Sequence, residues 1–303
     1  MTMESPLVVA IVGPTASGKS DLAVRLCGQI GGEVINADSM QLYQGMDIGT
    51  AKISVAEQAG VPHHLFDIWP VTQAANVATY QELARAAITQ IQGRGKVPVL
   101  VGGSGLYVRA ALDHLSFPGT DPEIRRKWES ELERRGPEEL HAVLAERDPA
   151  SAASILPTNG RRIVRALEVI ELTGGEFTAT LPEPSYVAPT VQVGLDVPRE
   201  TLDQRIDLRV DHMWEQGLVD EVAALAQRGL REGITASRAL GYSQALKYLD
   251  GEWTREQAIE DTRRTTRRFA RRQDTWFRRD QRITWIPFEN PLAAAVEIVR
   301  ASS

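Results

Sequence analysis

The chain has 303 residues, a length that suits one large α/β domain with a smaller appendage. Hydrophobic residues make up 43% of it and charged residues 24%, and no apolar run approaches the ~20 residues that span a bilayer. These values favour a soluble globular protein without a membrane anchor. Because the first residues show neither a basic region nor a cleavage site, we expect a cytoplasmic protein. The net charge of −6 argues against a uniformly basic nucleic-acid-binding protein.

The first element in chain order is a buried strand over Leu7–Val12, and a glycine-containing segment follows it. The segment reads Gly13-Pro14-Thr15-Ala16-Ser17-Gly18-Lys19-Ser20. It fits the pattern G-x-x-x-x-G-K-[ST], in which backbone N–H groups and a helix N-terminus face phosphate oxygens. Lys19 adds a cation, and Ser20 adds a hydroxyl suited to Mg²⁺. This segment, here called the phosphate loop, predicts a phosphate site but does not distinguish ATP, GTP or another diphosphate.

Strand and helix patterns alternate through the first 115 residues. They indicate a strand over Gly32–Asp38, a possible strand over His64–Trp69, a helix over Asn76–Gln92 and a strand over Val97–Val101. This order predicts a parallel sheet covered on both faces. Since ligands of such sheets bind at the carboxyl ends of the strands, Gly13, Asp38 and Gly102 should converge on one crevice.

From about residue 121 the pattern becomes entirely helical. Asp121 is a good N-cap with Pro122 at the first helical position, and the helix they open is predicted to end at Gly136. Further helices are predicted over Pro137–Asp148, Pro149–Ile155 and Arg161–Thr173. We therefore expect an α/β protein with a P-loop NTPase-like parallel sheet core at 1–117 and 189–303, and an all-helical insertion domain at 118–188.

The C-terminal part returns to alternating elements. The predicted elements are a strand over Val191–Val197, helices over 199–216, 218–229, 237–249 and 254–280, a strand over Ile283–Phe288 and a terminal helix. Nothing in this part or elsewhere indicates an obligate dimer, so we expect a monomer.

The segment 263–282 contains nine arginines and only two acidic residues, Asp274 and Asp280, so it carries a local excess of seven positive charges. The pairs at 263/264, 267/268 and 271/272 recur every four residues, so a helix displays them along one side. We call this set the arginine stripe. Phe269, Gln273 and Trp276 fall on a different side, where they can pack. By itself the stripe is equally consistent with a solvated face and with a surface that binds RNA.

The residues alone leave the chemistry open. An ordinary P-loop NTPase has an apolar strand that ends in Asp, which holds Mg²⁺ and orients water. Here the corresponding strand ends in Gly102-Gly103-Ser104-Gly105, and the nearest acidic candidate is Asp38. An acid at that place would suit a small-molecule kinase that uses ATP. An RNA-binding module with a vestigial phosphate loop is a second alternative.

Six blocks of sequence, in order along nearly the whole chain, resemble the tRNA dimethylallyltransferase family. They are GPTASGKS (13–20), NADSMQLYQGMDIGTAK (36–52), LVGGSGLYVRAAL (100–112), RRIVRALEVIELTG (161–174), RALGYSQAL (238–246) and RRQDTWFRR (271–279). The resemblance implies transfer of the dimethylallyl group of dimethylallyl diphosphate to N6 of the adenosine 3′ of the anticodon, in tRNAs that read codons beginning with U. Prenylation of free AMP or ADP is disfavoured, because a small acceptor would not need the insertion.

The resemblance also implies roles for individual residues. Asp38 is the general base, while Ser104, where the family usually has Thr, and Arg238 complete the catalytic set. The diphosphate-binding residues are Gly13, Pro14, Thr15, Ala16, Ser17, Gly18, Lys19 and Ser20, with Mg²⁺ on Ser20. The residues that bind the tRNA anticodon stem-loop are Asp38, Ser39, Met40, Gln41, Arg125, Arg161, Arg162 and Arg165.

Structural roles remain open for several of these residues. Ser104 can cap the helix that starts at Gly105, Asp38 can be a turn residue, and Arg238 can be a surface arginine. The three arginines at 161, 162 and 165 can form ion pairs with Glu168 or Glu171 on the surface of their helix.

Overall fold

The computed structural model of the chain describes residues 7–175, 177 and 181–302. It divides into two compact units, one formed by Met1–His114 with Ser185–Ser303 and the other by Leu115–Pro184. The sequence placed the insertion at 118–188, so the two boundaries differ by three and four residues. The expectation about the N-terminus rests partly on residues 1–6, and the predicted insertion includes 176 and 178–180, all of which lie outside the described residues.

The larger unit contains a sheet and its covering helices. Its strands are β1 (Val8–Val12), β2 (Gly32–Asn36), β3 (His63–His64), β4 (Val97–Gly102), β5 (Thr190–Asp196) and β6 (Ile283–Pro287). Its helices are α1 (Lys19–Ile30), α2 (Val77–Gly93), α3 (Gly105–Leu112), α8 (Arg199–Glu215), α9 (Leu218–Ala226), α10 (Tyr242–Leu249), α11 (Arg255–Arg278) and α12 (Pro291–Ala301). The remaining helices belong to the smaller unit.

The strands form one sheet in the order β3-β2-β4-β1-β5-β6, and every neighbouring pair is parallel. The side chains of β1 alternate between two hydrophobic cores: Val8 and Ala10 pack in one, and Val9 and Ile11 in the other. The sheet is therefore buried on both faces, as the strand sequences predict. The predicted α/β class with a P-loop-like sheet core is confirmed.

Two predicted elements were wrong. The possible strand over His64–Trp69 is limited to His63–His64, because Leu65 and Asp67 adopt positive φ angles of 63° and 55° that end the extended chain. The predicted helix over 237–249 is broken into a 3₁₀ turn at Ala236–Arg238 and α10, and Gly241, with φ 85°, stands at the break. Arg238 therefore ends a short turn.

The smaller unit consists of α4 (Pro122–Arg135), α5 (Pro137–Arg147), α6 (Pro149–Ser154) and α7 (Gly160–Thr173). The Asp121 side chain accepts hydrogen bonds from Glu123 N and Ile124 N, which is the N-cap that the sequence predicts. The apolar side chains of this unit, among them Trp128, Leu140 and Ile163, form a core of their own. No helix within the described residues of either unit is long and apolar enough to cross a membrane.

Candidate active site at the phosphate loop

The phosphate loop connects the end of β1 to the start of α1. Gly13, Ala16 and Gly18 have positive φ angles of 137°, 64° and 97°, so the chain curls around a concave backbone surface. A positive φ is less favourable for Ala16 than it would be for glycine, and strained residues of this kind cluster at functional sites. The Ser17 side chain is buried, and its hydroxyl has no hydrogen-bond partner among the described residues. A buried, unsatisfied hydroxyl in a curled loop at a helix N-terminus fits an anion.

Lys19 lies inside this loop, where its ammonium nitrogen donates a hydrogen bond to the carbonyl of Pro14 at 2.6 Å. Burial lowers the pKa of Lys19 to about 7. The charge of Asp38 opposes this shift, and the charge of Arg209 adds to it. A dianionic or trianionic ligand would restore the charged form, so Lys19 is suited to a phosphate-bearing ligand.

Asp38 stands two residues beyond β2, at the carboxyl edge of the sheet. Its carboxylate accepts a hydrogen bond from Met40 N at 2.9 Å, and its own N–H donates to the Asn36 side chain at 2.8 Å. Burial raises the pKa of Asp38, while the Met40 hydrogen bond and the charges of Lys19 and Arg209 hold the increase back. A carboxylate with a raised pKa beside two cations can accept a proton near neutral pH.

Arg209 of α8 is a site residue that the sequence did not reveal. Its guanidinium donates from Nη1 to the hydroxyl of Thr15 at 3.4 Å, and its charge acts on both Asp38 and Lys19. Burial lowers the pKa of Arg209, but the group remains a cation. Because α8 carries several arginines, nothing in the local pattern distinguishes this one.

Ser104 lies beyond the end of β4, opposite Asp38. Its hydroxyl accepts a hydrogen bond from Ser39 N at 3.1 Å and lies 3.2 Å from the hydroxyl of Ser39. Ser104 occupies the N-cap position of α3 but makes no side-chain capping bond within the described residues. Its hydroxyl therefore joins the ends of β2 and β4.

The backbones of β2 and β4 approach each other closely at this point. A Cβ added at Gly102 would lie 2.2 Å from the carbonyl oxygen of Ala37, so only glycine fits there. The carboxyl edges of β1, β2 and β4 thus bring the phosphate loop, Asp38 and Ser104 together, as the sheet order predicts.

Ser20 and Arg238 are both exposed. Ser20 is in the first turn of α1, at the rim of the phosphate loop, and Arg238 ends the 3₁₀ turn before α10. The guanidinium that contacts the loop is that of Arg209, which is half-buried.

The turn that follows Asp38 is held in shape by a network of hydrogen bonds. The Gln41 side chain donates to Thr50 O at 3.0 Å and to Ala51 O at 3.4 Å. Glu221 of α9 accepts from the N–H groups of Asp47, Ile48 and Gly49 at 2.7 to 3.3 Å. Ser39, Met40 and Gln41 are half-buried and lie on this ordered segment.

The smaller unit holds the four arginines that the sequence assigned to tRNA. Glu168, fully buried, pairs with Arg165 at 2.9 Å and with Arg125 at 3.5 Å. Arg165 also donates to the carbonyls of Pro118 and Gly119. Arg161 and Arg162 are exposed in the first turn of α7. The ion-pair role is thus present for Arg125 and Arg165.

The arginine stripe packs along α8, whose aspartates recur at the same spacing. Arg263 pairs with Asp211, Arg267 with Asp207 at 2.6 Å, and Arg271 with Asp203 at 3.9 Å. The paired members of the stripe therefore form an antiparallel ladder between two helices. Exposed members of the stripe include Arg264, which pairs with Asp261 on its own helix, Arg268, Arg272 and the ladder member Arg271. Arg278 and Arg279 at the end of α11 are exposed as well.

The fold and the site together define an α/β protein with a P-loop-like parallel sheet, in which the phosphate loop follows β1 and an acid follows β2. The IPP transferase family profile matches residues 41–280. A protein of Thermobifida fusca named tRNA dimethylallyltransferase is 64% identical over 289 residues, which are 94% of this chain and 91% of that protein. A protein of Streptomyces coelicolor with the same name is 64% identical over 93% of this chain and 90% of that protein. The chain belongs to the IPP transferase family.

Two solved structures agree with this assignment. The full-length tRNA isopentenylpyrophosphate transferase of Bacillus halodurans is 42% identical, with a TM-score of 0.74 over 99% of this chain and 97% of that one. A eukaryotic dimethylallyltransferase acting on tRNA is 29% identical, with a TM-score of 0.82 over 94% of this chain and 74% of that one. The similarity extends over both units of the chain.

Proposed function

We propose that the protein transfers the dimethylallyl group of dimethylallyl diphosphate to N6 of the adenosine 3′ of the anticodon, in tRNAs that read codons beginning with U. The observation that carries the proposal is Asp38, a carboxylate with a raised pKa beside Lys19 and Arg209 at a phosphate loop. The names of the relatives support the same activity. A tRNA substrate also supports a cytoplasmic location, and a monomer remains our expectation.

Departure of diphosphate is the main barrier that this site addresses. As the bond between the allylic carbon and the diphosphate oxygen breaks, negative charge grows on the leaving group. The N–H groups of the phosphate loop, Lys19 and Arg209 face that charge, and preorganised donors of this kind are the largest single source of catalysis in many enzymes. Arg238 joins this set in our proposal from the exposed turn before α10.

The new bond joins the same carbon to N6 of adenine. The exocyclic amine carries a proton that must leave as the bond forms, and Asp38 accepts it. A positioned base of this kind contributes ~10²–10⁴-fold to rate. In our proposal Ser104 orients the acceptor through its hydroxyl, which is anchored to Ser39. The adenosine reaches the crevice after it leaves the base stack of the anticodon loop.

The phosphate loop also fits Mg²⁺. Among the described residues, no group of three or more His, Cys, Asp or Glu side chains could hold a metal by itself. Mg²⁺ needs no such cage, because it usually combines one or two protein oxygens with phosphate oxygens and water. Ser20 would supply that oxygen, and the ion would neutralise charge on the diphosphate. The unsatisfied hydroxyl of buried Ser17 supports a ligand at the same loop.

The tRNA contacts belong to the proposal as well. Ser39, Met40 and Gln41 follow the base Asp38 and are suited to contact the modified adenosine and its neighbours. In the smaller unit, the exposed Arg161 and Arg162 in the first turn of α7 are suited to phosphates of the anticodon stem-loop. Arg125 and Arg165 would have to give up part of their pairing with Glu168 to contact the same phosphates. Phosphate contacts fix register, and base contacts specify sequence.

A transfer assay tests the proposal. Unmodified tRNA with adenosines at positions 36 and 37 is incubated with Mg²⁺ and either labelled dimethylallyl diphosphate or γ-labelled ATP. We expect label from the prenyl donor in tRNA, and none with AMP or ADP as acceptor. Label passing only from ATP to a small acceptor would instead favour the kinase alternative. tRNA binding without any diphosphate binding would favour a binding module.

A further inference from the structure

One side chain of the arginine-rich helix reaches into the site. Gln273 of α11 is buried, with 6% of its surface exposed. Its amide oxygen accepts a hydrogen bond from Thr15 N at 2.9 Å, and its amide nitrogen donates to Gly103 O at 2.9 Å. The amide thus bridges the phosphate loop after β1 to the turn after β4.

The orientation of this amide is fixed by its partners. A backbone N–H can only donate and a carbonyl can only accept, so exchanging the oxygen and nitrogen of Gln273 would break both bonds. The fit is also tight: a Cβ added at Gly103 would lie 2.3 Å from the Gln273 nitrogen and 3.2 Å from Gly13 O. The turn after β4 therefore approaches the amide as closely as glycine allows.

Both partners of Gln273 lead to groups that the proposed reaction uses. Thr15 carries the hydroxyl that Arg209 contacts, and it precedes Ala16, whose positive φ needs support from its surroundings. Gly103 precedes Ser104, whose hydroxyl bonds Ser39 next to Asp38. One amide therefore connects the side of the crevice that holds the leaving group to the side that holds the base.

We propose that Gln273 is a positioning residue, whose amide keeps the phosphate loop and the Gly103–Ser104 turn in the arrangement that binds diphosphate. The proposal rests on the proposed function for the identity of that ligand. The Thr15 N–H donates its hydrogen bond to Gln273, so the N–H groups of the phosphate loop that follow Thr15 are the ones that face the anion. Without the amide the loop also adopts conformations that do not bind diphosphate. The apparent affinity then equals the intrinsic affinity multiplied by the fraction of molecules in the binding conformation.

The first test measures binding of inorganic diphosphate with Mg²⁺ to Gln273→Met by calorimetry. Methionine keeps the volume and loses both hydrogen bonds. We expect affinity about tenfold below wild type, and kcat reduced more than the KM for tRNA is raised. The matched control is Gln192→Met. Gln192 is also buried, and its side chain donates to Tyr186 and Asp280, away from the phosphate loop. We expect wild-type diphosphate affinity for the control.

The second test uses Gln273→Glu and pH. A carboxylate still accepts from Thr15 N, but it faces Gly103 O without a proton to donate. Protonation restores the donor, so the ratio of wild-type to variant affinity should fall toward one as pH falls from 8 to 5.5. A merely structural role would not produce this recovery.

The outcomes separate this inference from the function on which it rests. Wild-type diphosphate affinity in folded Gln273→Met overturns the positioning role, as does a pH-independent ratio for Gln273→Glu. Wild-type protein that binds no diphosphate and transfers no prenyl group overturns the proposed function instead. An equal loss of diphosphate affinity in Gln273→Met and Gln192→Met would mean that both substitutions destabilise the protein in general, which would also overturn the positioning role.

Discussion

Arg209 donates from Nη1 to the hydroxyl of Thr15 at 3.4 Å, which places a half-buried guanidinium against the phosphate loop. Its charge is close enough to Asp38 and Lys19 to affect the pKa of each. Three charged groups, from the turn after β2, from α1 and from α8, therefore act on one another at the carboxyl edge of the sheet. Arginine is well suited to a diphosphate because its planar fork can bind two oxygens at once.

We predict that Arg209→Ala lowers kcat for prenyl transfer by about 10²–10³, the usual cost of removing one preorganised donor. Arg209→Lys should recover only part of this loss, because lysine restores the positive charge but cannot bind two oxygens at once as arginine does. Single-turnover transfer with saturating tRNA measures the effect. The control is Arg199→Ala on the same helix, where the guanidinium pairs with Asp203 at 2.6 Å. If Arg209→Ala retained a third of wild-type turnover, the assignment would be wrong.

The raised pKa of Asp38 predicts a pH dependence. The base must be ionised to accept the N6 proton, so transfer should slow as pH falls through the raised pKa. Asp38→Asn should lower kcat by ~10²–10⁴ and abolish this acidic limb. The pH profile of single-turnover rates provides the measurement. Asp250→Asn, which changes a surface partner of Arg231, should keep both the wild-type transfer rate and the decrease in rate at acidic pH. If the rate of Asp38→Asn still decreased at acidic pH as in wild type, the group that titrates would be another one.

Lys19 predicts proton uptake on ligand binding. Because burial lowers its pKa to about 7, the free amine is largely neutral at pH 8, and a bound diphosphate raises the pKa again. Binding at pH 8 should therefore take up close to one more proton in wild type than in Lys19→Met, and the difference should vanish near pH 6, where Lys19 is already charged. Calorimetry in two buffers of different ionisation enthalpy measures it. Equal uptake by both proteins at pH 8 contradicts the prediction.

The sequence predicted what local patterns determine. The phosphate loop, the alternating strands and helices, and the Asp121 cap are each encoded within a few residues, and the structure contains them. The prediction of a strand over His64–Trp69 was wrong because Leu65 and Asp67 adopt positive φ angles, which are uncommon in non-glycine residues and which the alternating pattern does not reveal. The order of the sheet then brought Gly13, Asp38 and Gly102 to one edge.

Residues whose role depends on distant partners were harder to predict. Gln273 and Thr15 are separated by 258 positions, and Arg209 and Thr15 by 194. The helical pattern did assign Gln273 to a packing side of its helix, apart from the arginine stripe, but not its partners. The stripe itself looked like one surface in the sequence, whereas α8 neutralises part of it through aspartates that recur every four residues.

A substitution at Glu221 should affect tRNA binding without affecting binding of the prenyl donor. Its carboxylate accepts from three backbone N–H groups at 47–49 and from the Tyr242 hydroxyl at 2.5 Å. Glu221→Gln turns one acceptor into a donor against these groups, so the segment with Gln41 should loosen. We expect the KM for tRNA to rise about tenfold and the affinity for diphosphate to stay unchanged.

Tyr242→Phe is the matched variant, because it removes one of the four hydrogen bonds to Glu221 and leaves the backbone contacts intact. We expect it to raise the KM for tRNA less than Glu221→Gln does. Steady-state kinetics with each substrate varied in turn provides the comparison. A larger effect on the donor than on tRNA in Glu221→Gln would show that this network serves the phosphate loop instead.

The arginine stripe predicts two kinds of salt dependence for tRNA binding. Arg268 and Arg272 are exposed one turn apart, whereas Arg267 is half-buried and paired with Asp207. If the outward members contact phosphates, the double variant Arg268→Ala/Arg272→Ala should reduce the slope of log K against log salt by about 1.5, since each phosphate contact contributes ~0.7–0.9. Arg267→Ala should lower thermal stability and leave the slope unchanged. Filter binding from 50 to 300 mM salt measures both, and an unchanged slope in the double variant would make the stripe a solvated face.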